Sequence, residues 1–136
     1  LCSPIGDQCG GFLSNPSGSL SSPYYPGNGL ITQCVWQIQI EYNRIVLFIK
    51  HMLLTYFHSL NCFQEFIEIY DGPLYASPLL GRICNGSNLS YVSSSNTLTV
   101  LLHRDSYNSG YGFSAYYNSI FPGKTKIYMF TINLLI

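Results

Sequence analysis

Three histidines, His51, His58 and His103, are the first residues in this chain that could act as a general base or bind a metal. His58 stands just before Cys62, but no second pair of ligands completes a zinc spacing, and no C-x₂-C occurs. No serine sits in a G-x-S-x-G elbow, so the nucleophile of an acyl-transfer site is missing. Six acidic residues are scattered along the chain with no spacing that would make two carboxylates converge in a cleft, as a glycoside hydrolase needs. The chain is therefore read as non-catalytic. His51 and His103 are expected at strand ends or an interface, facing each other.

Aromatic residues carry the stronger signal. Twelve tyrosines exceed what one core can use, and Tyr24, Tyr25, Tyr56, Tyr75, Tyr107 and Tyr111 fall in segments that read as loops. Loop tyrosine supplies rigid, amphipathic contact area at low entropic cost, and its ring can also stack on a sugar. Tyr56, Tyr107 and Tyr111 are accordingly the candidate binding residues, with proteins, glycoproteins or glycans as partners. Asn85-Gly86-Ser87 and Asn88-Leu89-Ser90 are acceptor sequons for N-glycosylation, placed in one loop just after Cys84. Cysteines at 2, 9, 34, 62 and 84 leave one unpaired if the rest form disulfides, and five choices of odd residue times three pairings allow fifteen arrangements. Sequential closure, Cys9 with Cys34 and Cys62 with Cys84, is the simplest of these, and the spacing leaves the others open. Disulfide use and sequons together suit a secreted, oxidising setting.

Composition narrows the class further. The chain has 136 residues, 47% hydrophobic and only 9% charged, and six basic side chains cancel six acidic ones. That balance leaves no basic footprint for nucleic acid and no polybasic arm for anionic lipid. An aromatic content of 15% opposes disorder. No apolar run approaches the ~20 residues that a membrane-spanning helix needs.

The elements that must position these residues read as strands. Cys34 to Ile40 alternates, with Trp36, Ile38 and Ile40 on one face and Gln37 and Gln39 on the other. Ile45 to Ile49 is apolar on both faces, as in a central strand, and Phe66 to Tyr70 alternates again before the turn residues Asp71-Gly72-Pro73. Thr97 to Leu102 and Gly112 to Tyr117 complete the set. The Gly-, Ser- and Pro-rich stretch from Gly10 to Gly29 reads as loop and edge, and Leu53 to Leu60 as a long loop. Short strands with turn signals every ten residues or so imply an all-β sandwich. After Asn118 the pattern breaks, and Ile127 to Ile136 is nearly all apolar but too short to span a bilayer. The chain opens at Leu1 with no charged leader, which suits a processed chain or a piece of a longer one.

Cys9-Gly10-Gly11, Ser22-Pro23-Tyr24-Tyr25-Pro26, Cys34-Val35-Trp36, Ile67-Glu68-Ile69-Tyr70-Asp71-Gly72, Cys84-Asn85-Gly86, Ser93-Ser94-Ser95-Asn96 and Gly112-Phe113 stand in the order and near the spacing of the CUB domain. The chain resembles that family from Cys9 to Tyr117. It looks most like the CUB domains of salivary agglutinin/hensin-type scavenger-receptor mosaic glycoproteins, and more distantly like spermadhesins. The resemblance implies a two-sheet antiparallel, jelly-roll-like β-sandwich closed by Cys9–Cys34 and Cys62–Cys84. It divides the chain into residues 1–8, a linker or the tail of a preceding scavenger-receptor cysteine-rich domain that would hold Cys2, the CUB domain at 9–118, and a hydrophobic tail at 119–136.

It implies also a recognition module in a secreted mucosal mosaic, or alternatively a stand-alone spermadhesin-like chain that oligomerises and coats a surface. Many CUB domains bind calcium through three acids at one end of the sandwich. Here those positions read Thr55, Glu65 and Asp105, so one acid is lost and another lengthened. Calcium takes six to eight oxygens with enough carboxylate charge to offset its desolvation, and the degraded set of Glu65 and Asp105 predicts weak calcium binding and no other cofactor.

Overall fold

The computed structural model describes residues 9–23, 31–53, 62, 65–105 and 112–120. Among these, nine strands form two sheets: β1 (Gly11–Leu13), β2 (Ser17–Ser21), β3 (Thr32–Gln39), β4 (Arg44–Leu53), β5 (Glu65–Tyr70), β6 (Leu79–Ile83), β7 (Asn85–Val92), β8 (Thr97–Arg104) and β9 (Gly112–Ile120). One sheet has five strands in the order β1-β3-β8-β5-β6 and the other four in the order β2-β9-β4-β7. All pairings are antiparallel except β1 with β3, which run parallel at the edge of the larger sheet.

Alternation explains how the two sheets meet. Trp36 and Ile38 of β3, Ile67 and Ile69 of β5, and Leu98, Val100 and Leu102 of β8 bury one face. Ile45, Leu47 and Ile49 of β4 and Phe113, Ala115 and Tyr117 of β9 meet them from the other sheet. Trp36 and Phe113 cross between the sheets edge to face at 5.5 Å. Each such apolar side chain contributes about 1.5–3 kcal/mol through burial. The β4–β9 register slips between Ile49 and His51. That extra residue, Lys50, restores Met52 to the core after a break in the two-residue period.

Two smaller apolar clusters lie on the outer faces. Val46, Phe48 and Ile120 gather on the smaller sheet, with Tyr116 stacked on Phe48 at 5.1 Å. Val35, Phe66 and Leu101 gather on the larger sheet. The first of these clusters accounts for the doubly apolar reading of Ile45 to Ile49.

Four departures from the sequence reading have physical causes. The Gly- and Ser-rich start contains β1 and β2, short strands that owe their geometry to β3 and β9 rather than to their own weak propensity. Leu79–Ile83 forms β6 against β5 after the turn at Asp71. The sequons do not lie in a loop: Asn85 and Asn88 are exposed on β7, an edge strand paired to β4. Asn88 takes φ 55° and Gly86 φ 136°, so the strand is kinked where its Asn-Gly-Ser-Asn sequence reads as turn. Finally, His51 and His103 belong to β4 and β8 in different sheets, and His103 stacks on Phe66 at 5.1 Å instead of meeting another histidine.

Tyr117 hydroxyl donates to the Asn15 carbonyl at 2.9 Å while its ring packs in the core. Burial pushes the phenols of Tyr117 and Tyr91 up from their ordinary value. A group with a raised folded pKa contributes stability that is complete below its unfolded pKa, about 10 for tyrosine, and is lost as pH rises beyond it. Phenolate absorbance at 295 nm is therefore expected to be lower in the folded chain than in the same chain unfolded in urea at about pH 10.5. Equal absorbance from the folded and the unfolded chain at that pH would refute it.

Candidate functional site

The loop ends selected from the sequence lie where β8 finishes and β5 begins. Cross-strand register places Arg104 between Thr32 of β3 and Glu65 of β5. Alternation turns all three toward the interior, where they are buried. Arg104 Nε donates to Glu65 Oε2 at 3.0 Å, and Nη2 lies 2.9 Å from the same oxygen. Both side chains are only 1% exposed. Glu65 is thus an interior acid already neutralised by a guanidinium, while Asp105, the next residue after β8, is half-buried. Among the described residues no three His, Cys, Asp or Glu side chains come together to hold a metal ion.

The residues present fit calcium poorly on this ground. A cation that drew Glu65 away from Arg104 would leave a buried guanidinium without its carboxylate. Arg104 was visible in the sequence as the next inward position after Leu98, Val100 and Leu102. Thr55, Tyr56, Tyr107, Tyr111, His58 and Cys2 lie outside the described residues.

Two disulfides, Cys9–Cys34 and Cys62–Cys84, brace this end of the sandwich. Beside the second, Arg82 of β6 lies 3.8 Å over the Phe66 ring, and its Nη2 donates to the Cys62 carbonyl at 3.3 Å. With His103 stacked on the same ring, Phe66 is covered rather than presented.

The opposite end is built by the Ser93-Ser94-Ser95-Asn96 segment. Ser93 Oγ accepts from the Ile45 amide at 2.8 Å and donates to the Ser95 carbonyl at 2.6 Å, while Arg44 Nε donates to the Ser93 carbonyl at 2.7 Å. The Ser94 amide donates to Asp71 Oδ1 at 2.7 Å. Asn96 Nδ2 donates to the Ile40 carbonyl at 2.8 Å, pinning the end of β3. These bonds tie three connections, β3–β4, β5–β6 and β7–β8, into one rim.

A groove of about 460 Å³ opens against that rim, lined by Phe12, Leu13, Ser14, Gln37, Gln39, Ile40, Glu41 and Asn96. The large apolar side chains left in solvent include Phe12 at 73%, Tyr42 at 64% and Tyr75 at 83%. Of the loop tyrosines singled out from the sequence, Tyr75 is described and exposed, whereas Tyr24 and Tyr25 lie outside the described residues.

The chain is similar to known proteins across most of its length. It is 43% identical over 116 residues to human CUB and zona pellucida-like domain-containing protein 1, covering 84% of this chain and 19% of that relative. The chain therefore spans about a fifth of that protein. It is 36% identical to the carbohydrate-binding protein AQN-3 of Sus scrofa, covering 86% of this chain and 92% of that one. The solved structure of the MASP-1 CUB2 domain bound to Ca2+ superposes with a TM-score of 0.68 at 21% identity, covering 82% of this chain and 100% of that domain. The sandwich order, the two disulfides and a match of the CUB-domain family model to residues 9–117 agree, and the chain belongs to the CUB domain family.

Proposed function

We propose that this domain is an extracellular, non-catalytic recognition module for proteins or glycoproteins, acting as one unit of a secreted mucosal mosaic. The observation that carries this reading is the exposure of Phe12, Tyr42 and Tyr75 on a scaffold braced by two disulfides. Rigid aromatic anchors give binding area with little ordering cost. The small share of the human relative that the chain covers supports membership in a larger mosaic, and a neighbouring scavenger-receptor cysteine-rich domain is part of the proposal. The AQN-3 match, which spans nearly that whole protein, favours a second reading: a stand-alone, spermadhesin-like chain that oligomerises on a surface. Sedimentation separates them, since the first expects a monomer and the second a dimer.

Calcium plays a minor part in this proposal. Binding of the secreted chain to an immobilised salivary glycoprotein is expected to change less than about two-fold between chelator and 1 mM calcium, the range in which extracellular modules load. The thermal midpoint should rise by no more than about 2 °C at 10 mM. Loss of binding in chelator would overturn the metal-free mode, and absence of binding in either condition would overturn the recognition reading.

A further inference from the structure

We propose that the groove at the β1–β3 edge is a binding site for a neutral pyranose, and that it specifies the glycan part of the recognition proposed above, on which it rests. The site lies at the end of the sandwich away from Glu65 and Asp105, where the sequence reading looked for chemistry.

Its construction follows from the parallel pairing of β1. Gly11 faces Trp36 and Leu13 faces Ile38, which turns Phe12 to the outer side beside its register partner Gln37. Gln39 continues the same face of β3 two residues on. Phe12 thus presents a ring, 73% exposed, at the border of a row of planar amides. No side-chain hydrogen bond among the described residues engages Gln37 or Gln39. Each amide offers two donors and an acceptor, the complement of vicinal hydroxyls, and a ring face takes the axial C–H side of a sugar. Glu41 adds a carboxylate acceptor at the rim, and Asn96 is held in place by its bond to Ile40.

Charge selects among saccharides. The lining contains one carboxylate and no lysine, arginine or histidine. Nothing in it would neutralise a sialic acid, a sulfate or a phosphate, and Glu41 would oppose each of them. A volume of about 460 Å³ falls within the range of small-ligand sites. An extended peptide added to the outer edge of β1, which pairs with no strand among the described residues, is the competing occupant, and it would be read by β1 backbone groups rather than by the glutamine amides.

The test uses the whole secreted chain, labelled with nitrogen-15, and methyl pyranosides of glucose, galactose, mannose, fucose, N-acetylglucosamine and N-acetylgalactosamine. At least one is expected to shift the side-chain amide signals of Gln37 and Gln39 at millimolar concentration, with 3′-sialyllactose at least three-fold weaker than lactose. Phe12→Ala should weaken the best ligand at least ten-fold while moving the thermal midpoint by less than 1 °C, because that ring packs on little. Gln37→Ala should do the same, and Leu79→Ala, an exposed residue on β6 at the far edge of the same sheet, should leave affinity unchanged. The proposal is overturned if no pyranoside moves those amides, if sialyllactose binds more tightly than lactose, or if only β1 backbone signals respond, and then to peptides. Retained glycoprotein binding by Phe12→Ala would remove the groove while keeping the recognition reading. Absence of glycoprotein binding by the parent chain would remove both.

Discussion

Replacing Arg104 with alanine is expected to cost about 3–5 kcal/mol of folding stability, because it strands the Glu65 carboxylate in the interior. Removing either partner leaves an uncompensated buried charge. The Coulombic gain of the pair, by contrast, does little more than offset the desolvation of both ions. Glu65→Ala should therefore be as damaging as Arg104→Ala. Replacing both, Glu65→Leu with Arg104→Met, should recover most of the loss, since apolar side chains of similar volume suit a position flanked by Leu102 and Ile67. Urea unfolding of these proteins measures the losses and the recovery, and adding the single variants Glu65→Leu and Arg104→Met completes a double-mutant cycle. A cost below about 1 kcal/mol for Arg104→Ala would show that water reaches the pair and that Glu65 is available to a cation after all.

That cycle also bears on function. Glu65 stands three residues after Cys62, the position at which calcium-type CUB domains carry an acid, and β8 delivers Asp105 directly after Arg104. The same two strands that would present a metal site instead present an ion pair to the core. The double variant should then bind calcium no better than the parent, with Asp105 the one described acid of the candidate set left at this end.

How much of this was legible in the sequence depends on the element. The inward positions of β3 were readable because Trp36 and Ile38 alternate with Gln37 and Gln39, and the outward glutamines proved to be the floor of the groove. Phe12 was not readable as part of a site. Its place beside Gln37 exists only because β1 joins β3 in parallel, a pairing between distant segments that no local pattern encodes. β7 was illegible for a related reason: Asn-Gly-Ser-Asn is turn chemistry, and pairing with β4 on both sides of the break at Lys50 and Asn88 overrides it. Of the loop tyrosines Tyr75 is exposed, while Tyr56, Tyr107 and Tyr111 lie outside the described residues, and the groove stands on a phenylalanine that the composition did not distinguish.

Loss of the Cys9–Cys34 bridge is expected to be the second large effect, and it separates stability from the groove. Cysteines 25 residues apart in sequence close a loop worth about 3 kcal/mol in the chain-entropy account, and the 22-residue separation of Cys62 and Cys84 gives nearly the same figure. Cys9→Ala with Cys34→Ala and Cys62→Ala with Cys84→Ala should thus shift urea unfolding by similar amounts. Their local consequences differ. Among the described residues β1 is a short edge strand paired to β3 alone, entered through Gly10, whose φ of +83° and approach of a notional Cβ to 2.5 Å from the Val35 carbonyl oxygen admit only glycine. Without the bridge that precedes it, nothing covalent holds this turn against β3. The β1 amides that bond to β3 should then exchange with solvent far faster in the Cys9/Cys34 variant than in the Cys62/Cys84 variant at matched global stability, and saccharide binding should be lost in the first alone. Equal protection of these amides in both would mean that the parallel pairing of Gly11 to Leu13 with β3 suffices to hold the groove, and that the bridge acts on the unfolded chain only.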